Sequence, residues 1–257
     1  HAARRRLRQS AQMIFQDPFS TLDPRMRLGA AIAEPIVLHG MARGRSATAE
    51  RVVQLLEMVG LPPSVVDKYP HEMSGGQLQR VGIARALSVE PSLIVADEPV
   101  SALDVSIQAQ VLNLMSDLQE QSGVSYLFIG HDLAVVKHVS HRIAVMYLGR
   151  IVEMTTSARL FDAPLHPYTA ALLSAAPVPD PVFEASRERI LLSGDPPSPR
   201  ERPRGCPFRA RCPMRQDTRC DDETPVLREV EPGHLAACHF AEEFDRRGVL
   251  RVASIVG

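Results

Sequence analysis

Two short apolar segments constrain the fold of this chain more than any other feature. Residues 93–96 and 126–129 carry no charge, each is followed within two positions by polar residues, and sequence with helical spacing separates them. A segment that is apolar on both faces is typical of a strand in a parallel sheet, where helices cover both faces. The alternation of such strands with helices indicates an α/β fold with a mostly parallel sheet.

Other elements are predicted around these strands. Residues 12–15 form a short apolar run that ends at Gln16-Asp17-Pro18, which predicts a strand entering a loop. Apolar residues at helical spacing predict helices at five places. These are 28–38, 47–59, 75–88, 106–121 and 133–139. A hairpin is predicted over 143–154, with its turn at Gly149.

Composition excludes several classes of protein. The 257 residues are 45% hydrophobic and 23% charged, enough for one large domain with an appendage. A net charge of -1 gives no bulk attraction to nucleic acid. There is neither an apolar run of the ~18 residues that a membrane span needs nor a signal peptide, so a cytoplasmic location is expected. Because residue 1 is His, we expect the sequence to be a fragment.

Acidic and imidazole side chains follow the two apolar strands. Asp97 and Glu98 come directly after the first, and His131 comes shortly after the second. The carboxyl ends of parallel strands meet at one edge of the sheet, where ligands bind in open α/β folds. Adjacent carboxylates there suit Mg²⁺ and the activation of a water molecule. The alternative interpretation of the acidic pair alone is a solvated strand end.

A second candidate site lies at the start of the helix predicted from residue 75. Ser74-Gly75-Gly76-Gln77 opens this helix. Two glycines let backbone N–H groups approach an anion, and the helix N-terminus favours negative charge. A plain helix cap would explain Ser74. It would not explain a glycine pair in the first turn, where glycine weakens a helix.

The order of these motifs resembles that of the ATPase subunit of ABC transporters. The resemblance covers roughly residues 12–153 and rests on five motifs that occur in the order of that family. They are Gln16-Asp17-Pro18 (Q-loop), 73–80 (signature), 93–99 (Walker B), Ser101-Ala102-Leu103-Asp104 (D-loop) and His131 (switch histidine). It implies a P-loop NTPase-type domain with a helical signature subdomain.

The resemblance implies ATP and Mg²⁺ as ligands and assigns roles to individual residues. Glu98 would polarise the attacking water, and Asp97 would hold Mg²⁺ through water. Gln16 would contact the metal and the water, and His131 would contact the γ-phosphate. Catalysis by such a set is positioning and charge stabilisation, as phosphoryl transfer requires.

The remaining motifs imply a dimer. Ser74, Gly75 and Gly76, with Gln77 beside them, would bind the γ-phosphate of the ATP held by the opposite subunit. Asp104 would organise the interface between the two subunits.

One motif of the family is not in this sequence. The phosphate loop has the form G-x-x-x-x-G-K-[ST], and its amides and lysine hold the phosphates. The two lysines here, Lys68 and Lys137, follow Asp67 and Val136 rather than glycine. The simplest explanation is an N-terminal truncation. The chain is then expected not to bind ATP tightly alone and to be inactive as an isolated ATPase.

Four cysteines fall in the proline-rich C-terminal part. These are Cys206, Cys212, Cys220 and Cys238. Disulfides are disfavoured in the cytoplasm, so clustered thiols there indicate ligands of Zn²⁺ or of an iron–sulfur cluster. The lack of a tight C-x-x-C pair favours iron–sulfur. Four reduced, unliganded cysteines are the alternative.

The same part of the chain resembles the C-terminal extension of oligopeptide/dipeptide importer ATPases. The resemblance spans about residues 159–240 and rests on 166–169 (HPYT), 205–208 (GCPF) and 211–213 (RCP). It implies a [4Fe-4S] cluster on the cysteines. We therefore predict an ABC ATPase domain over 1–155 and a small irregular extension over 156–257.

Together these features predict an ATP-hydrolysing subunit that energises peptide import at the cytoplasmic face of the cell membrane. The expected partners are a second ATPase subunit (the same or homologous), two membrane permeases and an extracytoplasmic solute-binding protein, with no nucleic acid. Two alternatives are a non-catalytic subunit that completes a partner's ATP site and a soluble ABC ATPase of DNA repair or translation.

Overall fold

The computed structural model describes residues 2–177, 189–194 and 204–244. The chain divides into two compact units, His1–His131 and Asp132–Gly257. Among the described residues no helix is long and apolar enough to cross a membrane.

A three-stranded parallel sheet forms the centre of the first unit. Its strands are β1 (Ala11–Ile14), β2 (Leu93–Asp97) and β3 (Ser125–Ile129), in the order β1-β2-β3. Both pairs are parallel, with Ile14 beside Ala96 and Ala96 beside Phe128. The three predicted strands and their parallel arrangement are confirmed.

The two faces of this sheet differ in burial. Ile94 and Ala96 on one face are fully buried. On the other face Met13 and Leu127, both neighbours of Val95, are 40% and 54% exposed. The prediction of a sheet covered on both faces is therefore wrong for this face, because no described element of the unit packs over its apolar residues.

Helices surround this sheet and extend beyond it. In chain order they are α1 (Ala2–Ser10), α2 (Pro18–Thr21), α3 (Leu28–His39), α4 (Arg45–Met58), α5 (Gly75–Leu87) and α6 (Val105–Ser122), with 3-10 turns at Pro63–Asp67 and Pro70–Glu72. The predicted helices match α3 to α6 to within about two residues, whereas α1 was not predicted. Side chains of α3, α4 and α5, such as Ile32, Leu55 and Leu78, are fully buried and form a helical core.

The second unit is built on an antiparallel sheet. Its strands are β4 (Arg142–Tyr147), β5 (Arg150–Thr156), β6 (Arg228–Glu231) and β7 (His234–Ala236), in the order β4-β5-β7-β6. The predicted β4–β5 hairpin is confirmed. Two short C-terminal strands, which the sequence did not reveal, extend it through β5. Residues from both sides of position 155 thus share one sheet.

Short helices and a small aromatic core complete the second unit. The helices are α7 (Leu133–Val139), α8 (Ser157–Asp162), α9 (Pro167–Ala175), α10 (Asp217–Asp222) and α11 (Ala241–Phe244), with a 3-10 turn at Arg209–Arg211. Phe208 is almost completely buried, and its ring lies 5.2 Å from that of Tyr147 and 5.5 Å from that of Tyr168. Within this unit, Ala170, Met214 and Phe244 form another buried cluster.

Candidate active site

The carboxyl ends of the three parallel strands bring three predicted site residues together. Gln16 follows β1, Glu98 follows β2 and His131 follows β3. The Gln16 Nε2 donates to Glu98 Oε2 over 2.8 Å, and the His131 Nδ1 lies 3.0 Å from Glu98 Oε1. The Glu98 side chain is 25% exposed and that of His131 is 75% exposed. The carboxylate is thus held by both neighbours and still reaches solvent.

The backbone of Glu98 has an uncommon conformation. Its φ is +43°, in the left-handed region, which costs a non-glycine residue about 1–3 kcal/mol and is often found at functional sites. The Glu98 N–H donates to the Ile129 carbonyl over 2.9 Å, and the Ser101 hydroxyl donates to the Glu98 carbonyl over 3.0 Å. These two hydrogen bonds fix the turn that directs the carboxylate toward Gln16 and His131.

Two further predicted acidic residues flank this group. Asp97 is the last residue of β2 and pairs with Ile129 of β3. Asp104 is the N-cap of α6, where its carboxylate accepts from the Ile107 N–H over 3.0 Å and from the Ser106 hydroxyl. The hydrogen bond from the Ile107 backbone lowers the pKa of Asp104. Its structural role is therefore to start α6.

The glycine pair packs against the N-terminal end of α6. Ser74 is the N-cap of α5, and the Ser74 N–H donates to the Gln77 side chain over 3.1 Å in a capping box. A Cβ on Gly76 would lie 2.4 Å from Ile107 Cγ2, and one on Gly75 would lie 3.5 Å from a Leu103 methyl. Close packing thus explains why glycine occupies position 76.

The predicted residues form two groups in this unit. Gln16, Glu98 and His131 share hydrogen bonds, whereas no hydrogen bond among the described residues joins Ser74, Gly75, Gly76 or Gln77 to that trio. The ligands and roles that the resemblance implies for each group stay predictions.

The four cysteines lie near one another in the second unit. The Cys206 N–H donates to the Cys220 carbonyl over 2.8 Å. Burial, with a smaller contribution from the other thiols of the group, raises the pKa of Cys212 to about 11 and that of Cys238 to about 12. Within the described part of the chain, however, no group of three or more His, Cys, Asp or Glu side chains is arranged to hold a metal ion.

Sequence reasoning missed a buried polar cluster in the second unit. Glu153 and His234 are fully buried, and the Glu153 Oε1 lies 2.7 Å from His234 Nε2. The same carboxylate accepts from the backbone N–H groups of Leu165 and His166. No sequence pattern signals this contact, because a glutamate within a hairpin strand is usually solvated.

Two family models match this sequence, one in its N-terminal part and one in its C-terminal part. The family model described as ABC transporter matches residues 1–101, and that described as oligopeptide/dipeptide transporter, C-terminal region, matches residues 152–220.

Relatives match most of the chain. The oligopeptide transport ATP-binding protein AppF of Bacillus subtilis is 53% identical over 237 residues, which are 92% of this chain and 71% of that protein. A second Bacillus subtilis relative, YkfD, is 53% identical over 93% of this chain and 73% of its own length.

Solved structures show the same fold at lower identity. CbiO1 from Clostridium perfringens, part of the ABC transporter complex cbiONQ, superposes with a TM-score of 0.55 at 28% identity, covering 61% of each chain. The ATP-binding cassette MJ0796, in a dimeric post-hydrolysis state with ADP and Pi, gives a TM-score of 0.50 at 27% identity over 59% of this chain and 65% of that chain. This chain therefore belongs to the oligopeptide/dipeptide transporter family of ABC ATP-binding proteins.

Proposed function

We propose that the chain is an ATP-hydrolysing subunit that energises the import of peptides. The observation that carries the proposal is the convergence of Gln16, Glu98 and His131 at the ends of three parallel strands. The relative AppF is named for oligopeptide transport, which supports peptides as the solute. A second ATPase subunit, two permeases and a solute-binding protein complete the proposed transporter at the cytoplasmic face of the membrane.

The geometry supports a role for Glu98 in activating water. Its carboxylate is oriented on both oxygens and is partly exposed, so a water at its open side can donate a proton to it. His131 stands beside this position, exposed and able to contact a phosphate oxygen. Mg²⁺ would neutralise charge on the phosphates when bound with the nucleotide, and Asp97 would hold it through water.

Replacing Glu98 tests the proposal. In the native subunit assembled with its permeases, we expect Glu98→Gln to lower ATP hydrolysis by about 10²- to 10⁴-fold while nucleotide binding is retained. The matched control is Glu120→Gln, which changes an exposed carboxylate on α6 and should leave hydrolysis unchanged.

The other results distinguish the alternatives. Hydrolysis that persists at full rate in the Glu98→Gln complex would mean that the chain is a non-catalytic subunit serving a partner's ATP site. A native subunit that does not purify with membranes would point to a soluble ABC ATPase.

We also propose that Cys206, Cys212, Cys220 and Cys238 hold an iron–sulfur cluster, with Zn²⁺ as the alternative occupant. Their closeness supports this, although the described thiols would have to move into ligand geometry when the metal binds, as metal binding is coupled to folding. Protein purified without oxygen should contain iron and acid-labile sulfide, and Cys212→Ser should lower both. Colourless, metal-free protein would contradict the proposal.

A further inference from the structure

The second unit contains a cavity with an uneven distribution of polar groups. Its volume is about 360 Å³, within the ~300–1,000 Å³ range of small-molecule sites. Most of its wall is apolar and comes from β5, the segment around Phe208 and residues 225–227. Arg150 and His166 also line it, and none of the described lining residues is acidic. Cys206 is one lining residue, and the other three cysteines are not among the described residues of the wall.

His166, one of the residues that line this cavity, carries a hydrogen-bond donor. The residue is 2% exposed, and its Nδ1 accepts from the Tyr168 N–H over 3.1 Å as the N-cap of α9. Burial keeps the imidazole neutral by lowering its pKa to about 3. A neutral ring whose Nδ1 is an acceptor must carry its proton on Nε2. No described residue accepts a hydrogen bond from that Nε2–H.

Arg150 supplies positive charge at the same cavity. It begins β5 and is exposed, and among the described residues its guanidinium forms no ion pair. A guanidinium binds a carboxylate with two parallel hydrogen bonds, which are stronger than bonds between neutral groups. The rest of the wall, including Ile151, Phe208 and Val226, is suited to an apolar side chain.

We propose that this cavity binds a carboxylate that carries an apolar side chain, with Arg150 and His166 Nε2–H holding the carboxylate. The C-terminal residue of a peptide and a free apolar amino acid share this chemistry. The site is independent of the ATP-hydrolysing function proposed above, because it needs no nucleotide and shares no residue with the Glu98 site.

Calorimetric titration of the 257-residue chain near neutral pH tests the proposal. The probe is N-acetyl-L-leucine, and its neutral amide is the ligand control. We expect one probe molecule to bind per chain and the amide to bind at least about tenfold more weakly. Free L-leucine forms the second arm. Binding of the acetylated compound alone identifies a peptide C-terminus as the source, whereas binding of both admits the free amino acid.

Variants of the wall residues complete the test. Arg150→Gln and His166→Asn should each weaken binding by about tenfold or more, and thermal melting checks that both remain folded. The matched control is Arg142→Gln, an exposed arginine on the neighbouring strand that does not line the cavity and should change nothing. Equal affinity for acid and amide, unchanged affinity in Arg150→Gln, or no binding at about 10 mM probe would overturn the proposal.

Discussion

His166 makes stability depend on pH through its burial. Its pKa is lowered to about 3 in the folded protein from 6.5 in the unfolded chain. A histidine with a depressed folded pKa contributes its full stability above the unfolded pKa of 6.5, and that stability is lost as the pH falls toward 3, because only the unfolded chain takes up the proton. The slope approaches about 1.4 kcal/mol per pH unit below the unfolded pKa.

Urea unfolding of the second unit at several pH values between 6.5 and 5 measures this slope. We expect the chain to lose roughly 1–2 kcal/mol across this window and His166→Asn to flatten the dependence, since asparagine can still cap α9. His138→Asn, at an exposed histidine of α7, should keep the original slope. Parallel curves for the chain and His166→Asn would show that His166 is not the titrating group.

The location of the site residues at the strand ends could be predicted from the sequence, whereas their backbone angles and hydrogen bonds could not. Position after an apolar strand is a sequence property, so Glu98 and His131 could be placed at one sheet edge. The positive φ of Glu98 and its support by Ser101 depend on hydrogen bonds between segments that only the folded chain brings together. The same holds for His234, which is fully buried beside Glu153.

Two glycines of α5 differ in whether they can be replaced by a larger residue, because only one of them packs against α6. A Cβ at Gly76 would lie 2.4 Å from the branched, stiff side chain of Ile107, whereas one at Gly82 would meet nothing within 4 Å. We therefore expect Gly76→Ala to destabilise the unit by about 1–3 kcal/mol through overpacking. Gly82→Ala, the matched control, should stabilise it by up to about 1 kcal/mol through helix propensity.

Chemical denaturation of the two variants gives both values. The double variant Gly76→Ala with Ile107→Ala is informative, because shortening Ile107 removes the clash. It should lose less stability than the two single changes added together, since the residues are in contact. Full additivity, or an unchanged midpoint in Gly76→Ala, would contradict close packing at this contact.

Elements with strong periodicity were predicted well and short ones were missed. Helices α5 and α6 bury a continuous stripe of apolar residues, so spacing alone located them. Strands β6 and β7 have four and three residues and include charged positions such as Arg228 and Glu231. Strand β7 pairs with β5 across some eighty residues of sequence, a separation that leaves no local pattern, and β6 joins the sheet by pairing with β7.

The uncovered face of the parallel sheet is a property of the whole unit. Composition correctly indicated a sizeable core, but it could not show that Met13, Leu127 and Ile129 remain 40%, 54% and 44% exposed. Parallel sheets are stable when both faces are covered. Covering this apolar face with another apolar surface would therefore stabilise the unit.

Weak nucleotide binding is the expected behaviour of the chain by itself. Its 257 residues contain no G-x-x-x-x-G-K-[ST] sequence, so neither the amide cradle nor the lysine that holds the β- and γ-phosphates is supplied. The partly exposed carboxylates of Asp97 and Glu98 repel a triphosphate rather than attract it. We therefore expect calorimetric titration with Mg-ATP to give a Kd well above the micromolar range, and ADP to bind no better.

The same argument predicts what would restore binding. A subunit that carries a phosphate loop can hold ATP itself, and we expect the Ser74-Gly75-Gly76 start of α5 to contact that nucleotide. If such a subunit is mixed with this chain, Gly76→Ala should weaken the hydrolysis measured in the mixture, because the added methyl displaces α5 from Ile107. Gly82→Ala, farther along the same helix, should not. Micromolar binding of ATP by the chain alone would contradict this expectation. It would require a phosphate site other than the strand ends around Glu98 and the start of α5.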